Sequence, residues 1–208
     1  REAGHRKMTE NLIRCQKRVG IAVADVSGHQ ITDAVLAAML HQGFLLGAIY
    51  EMDHYGSLTA RLFENLNTRF YNSSSVSKFV TLIYGEISED GTFQFISAGH
   101  PMPIIFSRLY DRIVDIPDEL HTTYPPIGTL PSQEDIDRRT NRSVLGFKEG
   151  YRVDRLDLMG SGDIMLLYTD GLSEHCKGEE DYFPTRLETR LREVKDRSAR
   201  EIFEAIKE

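Results

Sequence analysis

Cysteine is nearly absent. Cys15 and Cys176 are the only two in 208 residues, they lie far apart, and neither sits in a metal-type spacing. This argues against a disulfide scaffold or a thiolate zinc site and leaves free thiols in a reducing compartment as the expectation. Positive charge is in deficit: 25 Lys and Arg against 32 Asp and Glu give a formal charge of −7 and a pI near 5.5. Nucleic-acid binding driven by a basic face is therefore not expected. Long apolar runs are missing too. The longest, residues 34–50, is interrupted by His41, Gln42, Gly43 and Gly47. It falls short of the roughly 20 residues that a bilayer requires, so it is expected to be a buried helix, with no membrane span. The opening Arg1-Glu-Ala-Gly-His-Arg-Lys lacks the apolar core of a signal peptide, and a cytoplasmic address is expected. There is no Gly-rich phosphate loop, no nucleophile elbow and no Cys–His pair at a familiar spacing. Repeats, low-complexity tracts and obvious linkers are also lacking, so residues 1–208 are expected to form a single domain.

The residues that are present give an ordinary globular composition, 40% hydrophobic and 27% charged. Helical character around residues 8–15 leads into an apolar run, 19–26, expected to be a strand buried on both faces. Ser27-Gly28-His29 turns the chain, and a helix starting near Ile31 should bury Ala34, Val35, Ala38, Met39, Phe44 and Leu45. Ser57 is positioned to cap a second helix through Leu58, Leu62, Phe63 and Leu66. Residues 72–75 read as a loop. Strands follow at 79–87 and 92–97 around the hairpin signal Asp90-Gly91, then a short pair at 103–106 and 113–116. Residues 118–150 are irregular and polar, with Pro125-Pro126-Ile127-Gly128 as a rigid point, and are expected to be a surface flap. Strands 151–158 and 164–168 should form a closing hairpin, and helices are expected at 186–194 and 199–206. Blocks of hairpins with helices laid on them predict an α+β fold with antiparallel sheets.

Two carboxylates share one context. Asp25 follows Ile-Ala-Val-Ala and Asp170 follows Ile-Met-Leu-Leu-Tyr-Thr, each ending an apolar strand before a turn that contains Gly. If the strands are neighbours, the acids meet at one sheet edge. Two such charges need a cation between them, or one must take up a proton. Oxygen ligands favour Mg²⁺ or Mn²⁺ over zinc. The alternative for each acid is a plain turn cap. His29 and His100 both follow Gly at element ends, where either could contact a substrate phosphate or donate a proton. Their alternative is an ordinary polar loop residue.

Five segments lie in one order: Asp25-Val-Ser-Gly-His, Phe79-Val-Thr-Leu-Ile-Tyr-Gly, Ser97-Ala-Gly-His-Pro-Met-Pro, Pro126-Ile-Gly, and Gly162-Asp-Ile-Met-Leu-Leu-Tyr-Thr-Asp-Gly. Over residues 19–207 this order resembles the SpoIIE/RsbU family of bacterial PPM-type (protein phosphatase 2C-like) serine/threonine phosphatases. The resemblance implies an α-β-β-α sandwich of two antiparallel sheets flanked by helices. It implies two divalent cations, Mn²⁺ or Mg²⁺, and phosphoserine or phosphothreonine hydrolysis without a covalent enzyme intermediate. On that resemblance Asp25 matches the acid bridging both metals, the Val26 carbonyl the backbone ligand beside it, and Asp170 a further metal-binding acid. Gly28 and His29 match the turn beneath the metals. The implied partner is a phosphorylated STAS-type anti-sigma factor antagonist, with an upstream sensor or receiver domain and a homodimer as further expectations.

The departures are specific. Residues 1–18 contain no Asp, so the family's first acidic motif has no counterpart there. The acidic pair before the family's last strand is also missing, and Gln30 stands where a small Gly is usual. The missing acids and Gln30 support, as an alternative, a catalytically inactive phosphatase-fold module acting by partner binding. A metal-dependent hydrolase of small phosphoesters is a further alternative that the residues alone leave open.

Overall fold

The computed structural model describes residues 2–73, 78–132, 146–157, 159–173, 176–177, 180–181 and 183–207. Helix α1 (Glu2–Cys15) precedes strand β1 (Arg18–Val26) and the long helix α2 (Ile31–Tyr55), and α3 (Ala60–Ser73) follows. Next come β2 (Val80–Ser88), β3 (Phe93–Ala98), β4 (Ile104–Ser107) and β5 (Arg112–Val114). Strands β6 (Asp154–Leu156) and β7 (Ile164–Leu166) lead to the short α4 (Asp170–Ser173). A two-stranded ribbon, β8 (Cys176–Lys177) with β9 (Glu180–Asp181), precedes α5 (Thr185–Val194) and α6 (Ala199–Lys207). The two main sheets are antiparallel and have the orders β1-β2-β3-β6 and β5-β4-β7.

The period-2 alternation of β2 and β3 builds the layers. Leu82, Tyr84, Ile96 and Ala98 face Leu62, Phe63, Leu66 and Phe70 of α3 and the inner side of α2. Ile83, Phe93 and Phe95 point the other way and pack with Ile105 and Leu156 between the sheets. On the far side, Ile104 and Phe106 meet Leu187, Leu191 and Ile202 of α5 and α6. The result is the expected α-β-β-α sandwich.

Gly85 makes room for two rings from β3, the neighbouring strand of its own sheet. A Cβ there would overlap the Phe93 ring and stand 3.0 Å from Phe95 Cβ, and the two rings are themselves stacked at 5.2 Å. Gly85→Ala is expected to destabilise the fold by about 3 kcal/mol through overpacking, read as a lower urea midpoint at unchanged slope.

Several expectations are corrected. Among the described residues β1 is an edge strand, paired with β2 alone, and Ala22 and Ala24 are exposed. Small apolar residues in a row look the same at an edge as at a sheet centre. α2 is not buried over most of its surface: Leu40 and Ala48 face the core, whereas Ala34, Val35, Ala38, Met39, Leu45, Leu46 and Ile49 are exposed. Its 25 residues are long and apolar enough, by length and composition alone, to cross a membrane. The glycines that interrupt it have a packing reason, because Cβ atoms at Gly43 and Gly47 would press on Leu66 and Leu62 of α3. Thr59, not Ser57, caps α3, accepting the Arg61 N–H at 3.2 Å. Its own N–H and hydroxyl donate to buried Glu51. Asn72 and Ser73 belong to α3, while residues 74–77 lie outside the described residues. β6 and β7 are not a hairpin: β6 pairs with β3 in one sheet and β7 with β4 in the other.

The irregular segment after β5 is only partly a surface feature. Ile127 is fully buried and exchanges two main-chain hydrogen bonds with Val80, at 3.0 and 2.8 Å. Asn67 holds the next turn, accepting from Gly128 N–H and donating to the Leu130 carbonyl. The segment's far end is clamped. Ser132 and Lys148 bridge in parallel, and Lys148 N–H donates to the Pro131 carbonyl at 3.0 Å. The buried Lys148 ammonium bonds Glu64 at 3.1 and 3.3 Å and sits 3.5 Å from the centre of the Tyr151 ring. Residues 133–145 of the expected flap lie outside the described residues.

Candidate functional site

The β1–β2 register sets Asp25 opposite Thr81 and Val26 opposite Val80. After β3 the chain turns at Gly99, whose φ of 65° suits glycine. This brings His100 Nδ1 to 2.9 Å from Thr81 Oγ1. The Ser97 hydroxyl donates to the His100 carbonyl at 3.0 Å and locks the loop. From the second sheet, the chain beyond β7 brings the Tyr168 carbonyl to the ring, and Asp170 opens α4.

His100 is therefore the meeting point. It is only 6% exposed, and the charges of both Asp25 and Asp170 act on it. Burial pushes its pKa below the usual imidazole value, while the Tyr168 carbonyl and the two acids oppose that shift. Asp25 and Asp170 do not lie on neighbouring strands, the condition under which the sequence would bring them to one sheet edge. They come from two different sheets and converge across the sandwich.

The turn after β1 is built around a pair that sequence reasoning overlooks. Asp33, in the first turn of α2, is buried and ion-paired with Lys78 at 2.6 Å. Its carboxylate also accepts the Gln30 N–H at 2.8 Å. Gly28 has φ 103°, and a Cβ there would overlap Asp33 Oδ2 and lie 2.8 Å from Lys78 Nζ, so only glycine fits. Ser27 ties the same turn to Phe79, its N–H donating to the carbonyl and its hydroxyl accepting the N–H, both at 3.0 Å. Gln30 is exposed and sits at φ −90° as the residue before α2. The signal for Asp33 was present in the Gln30-to-Asp33 spacing of a helix-start box. His29 is exposed, so the structure does not bring it into the buried cluster with His100.

The hydrogen bond from Lys78, with the Gln30 N–H adding to it, holds the Asp33 carboxyl below its ordinary value. Its stabilising contribution is complete above the unfolded carboxylate pKa of about 3.9 and is lost as pH falls below that through the lower folded value. Asp33→Asn is expected to flatten this part of an acid-unfolding curve followed by circular dichroism. An unchanged curve below pH 4 would show that the pair contributes nothing.

The Asp25 and Asp170 carboxylates and the Val26 carbonyl are hard oxygen donors of the kind that Mg²⁺ and Mn²⁺ take. Among the described residues no group of three or more His, Cys, Asp or Glu could hold a metal ion by itself. The donor set suits a cation that keeps waters of its own, as Mg²⁺ does when bound through one or two carboxylates.

The profile of the family described as Stage II sporulation protein E (SpoIIE) matches residues 16–208. The chain belongs to the SpoIIE family. This SpoIIE-family chain is 28% identical over 160 residues to the phosphoserine phosphatase RsbP of Bacillus subtilis (strain 168), covering 76% of this chain and 34% of RsbP. Among solved structures it resembles the RsbU and RsbW domains of Rv1364c from Mycobacterium tuberculosis, with a TM-score of 0.63 and 21% identity over 91% of this chain and 47% of that one. It also resembles the SiaA-PP2C domain of Pseudomonas aeruginosa, with a TM-score of 0.61 and 14% identity over 99% of this chain and 87% of that one. These likenesses show the PPM-type phosphatase fold. The SpoIIE-family chain spans about a third of RsbP and about half of the mycobacterial protein.

Proposed function

We propose that the chain is a Mn²⁺- or Mg²⁺-dependent phosphoprotein phosphatase that hydrolyses phosphoserine or phosphothreonine on a bacterial regulatory partner. The observation that carries this reading is the convergence of Asp25 and Asp170 on buried His100 in a SpoIIE-family fold. Asp25, Asp170 and the Val26 carbonyl would hold the cation. When bound, it supplies an acidified water and neutralises charge on the phosphoryl oxygens. His100, fixed by Thr81, can hold the substrate's phosphoryl group through a hydrogen bond. His29, on the exposed lip, would meet the substrate phosphate from outside.

RsbP's name supports phosphoserine as the substrate, and the pairing of RsbU and RsbW domains in the mycobacterial structure supports a signalling partner. A phosphorylated STAS-type anti-sigma factor antagonist is the partner we assign, in the cytoplasm and downstream of a sensor or receiver domain. A homodimer is supported by the exposed apolar face of α2 with Ile31, Val35, Leu46 and Ile49. A monomeric mass by light scattering would sink that assignment.

The test is a Mn²⁺ titration by calorimetry, alongside hydrolysis of a phosphorylated STAS protein and of p-nitrophenyl phosphate. Binding with turnover supports the phosphatase. Binding of the phosphorylated STAS protein without turnover supports instead an inactive module that works by partner binding. The lack of a three-ligand group among the described residues favours that second reading. Turnover of p-nitrophenyl phosphate alone would point to a small-phosphoester hydrolase.

A further inference from the structure

The end of β1 carries two of the oxygen donors proposed for the cation, the Asp25 carboxylate and the Val26 carbonyl. Main-chain pairing decides which way the second one faces. Ser27 N–H donates to the Phe79 carbonyl, whereas Val80 exchanges both its hydrogen bonds with Ile127. Successive residues of a strand bond to opposite sides, so Phe79 faces β1 and Val80 faces away from it. Val26, opposite Val80 in the register, is left unbonded by β2. Among the described residues no strand lies on the other side of β1, so the Val26 carbonyl points towards an open edge, where an ion can reach it.

What holds this strand end lies just beyond it. The Asp33 carboxylate takes Lys78 Nζ at 2.6 Å on one oxygen and the Gln30 N–H at 2.8 Å on the other. Gly28 passes so close that a Cβ there would meet both partners of the pair. Asp33 lies in the first turn of α2, and Lys78 comes two residues before β2. One ion pair thus ties the exit of β1 to two other elements. The Asp33 side chain is 4% exposed and that of Lys78 25%. A pair this enclosed adds less net stability than its short distance suggests, because both charges leave water, and it can serve to select one geometry.

We infer that Asp33 and Lys78 are positioning residues for the cation. Their pair holds the turn from Val26 to Gly28 so that the Asp25 carboxylate and the Val26 carbonyl present to one ion. The inference rests on the phosphatase reading for the presence of that ion. The pair carries no net charge, so it acts through geometry and not through its field.

The test compares the wild type with Lys78→Met, with Asp33→Asn/Lys78→Met and with Lys78→Arg. Mn²⁺ affinity is measured by calorimetry well below each thermal midpoint. By charge alone, Lys78→Met should tighten Mn²⁺ binding, and the double variant, whose net charge is unchanged, should leave it as it was. Lost positioning predicts instead binding about tenfold or more weaker in both, and largely kept in Lys78→Arg. Lys78→Met strands the buried Asp33 charge, so the double variant, which does not, decides the matter if the first fails to fold. A second readout needs no metal. In chelator-treated protein, the Ser27 amide should lose its hydrogen-exchange protection in the first two variants, while Leu82 in mid-β2 keeps its own. Weaker binding together with lost Ser27 protection upholds the role. Unchanged or tighter binding in these variants, or Ser27 protection that persists, would overturn it and leave the pair a contact of the fold alone. A wild type that binds no Mn²⁺ would refute the phosphatase reading and this role with it, whereas failure confined to the variants leaves that reading standing.

Discussion

Asp25→Asn is expected to lower phosphatase activity at least a thousandfold, about 4 kcal/mol of transition-state stabilisation. The substitution is nearly isosteric and sits at the end of an edge strand, so the fold around it does not change. What it removes is a charged oxygen donor and one of the two negative charges acting on His100. Asp170→Asn is expected to act alike, and the double variant little worse than either, because groups that serve one cation fail together. Stability should move the other way. In metal-free buffer, removing one of two like charges relieves repulsion, so thermal midpoints should hold or rise slightly. A loss below tenfold, or a large drop in the midpoint, would show that Asp25 is a structural turn cap.

Lys148→Met should cost about 3 kcal/mol of stability. The ammonium is almost completely buried, bonded to Glu64 and to the Glu149 carbonyl, and faces the Tyr151 ring. Methionine fills the space but leaves the Glu64 carboxylate without its cation. Glu64 also accepts from the Ser132 hydroxyl and, at 2.6 Å, from Tyr151 N–H, so it cannot turn away without breaking those bonds. About a quarter of the Glu64 side chain remains exposed, which keeps the cost at the low end of the range for a broken buried pair. Adding Glu64→Gln to Lys148→Met should recover part of the loss, since the uncompensated charge is gone. Urea midpoints compared at constant slope measure both effects. A shift equivalent to less than 1 kcal/mol would mean that the clamp is not held by charge.

The elements that follow from local chemistry were legible in the sequence. The Asp90-Gly91 hairpin, the pairing of β4 with β5 and the two closing helices lie where turn residues and periodicity set them. What depends on the partner of each strand was not. Ala22 and Ala24 have the same identity at an edge as in a centre, and nothing in residues 151–168 states that β6 and β7 belong to different sheets. The site divides in the same way. The shared context marked Asp25 and Asp170, and Gly-His-Pro marked His100. Asp33 and Lys78 are 45 residues apart and meet only because α2 and β2 start at one end of the sheet. Buried Tyr124 lay in a stretch that composition described as surface, and Ile127 is what draws that stretch inward.

The Ser132–Lys148 clamp also makes a port in the chain. Ser132 and Lys148 meet at one hydrogen-bonded point, so the two anchors stay together whatever length of chain joins them. Lengthening a closed loop is thermodynamically cheap, about 0.6 kcal/mol for each doubling. A reporter domain, an affinity tag or a foreign recognition sequence can be spliced there, with the sandwich carrying it as a scaffold.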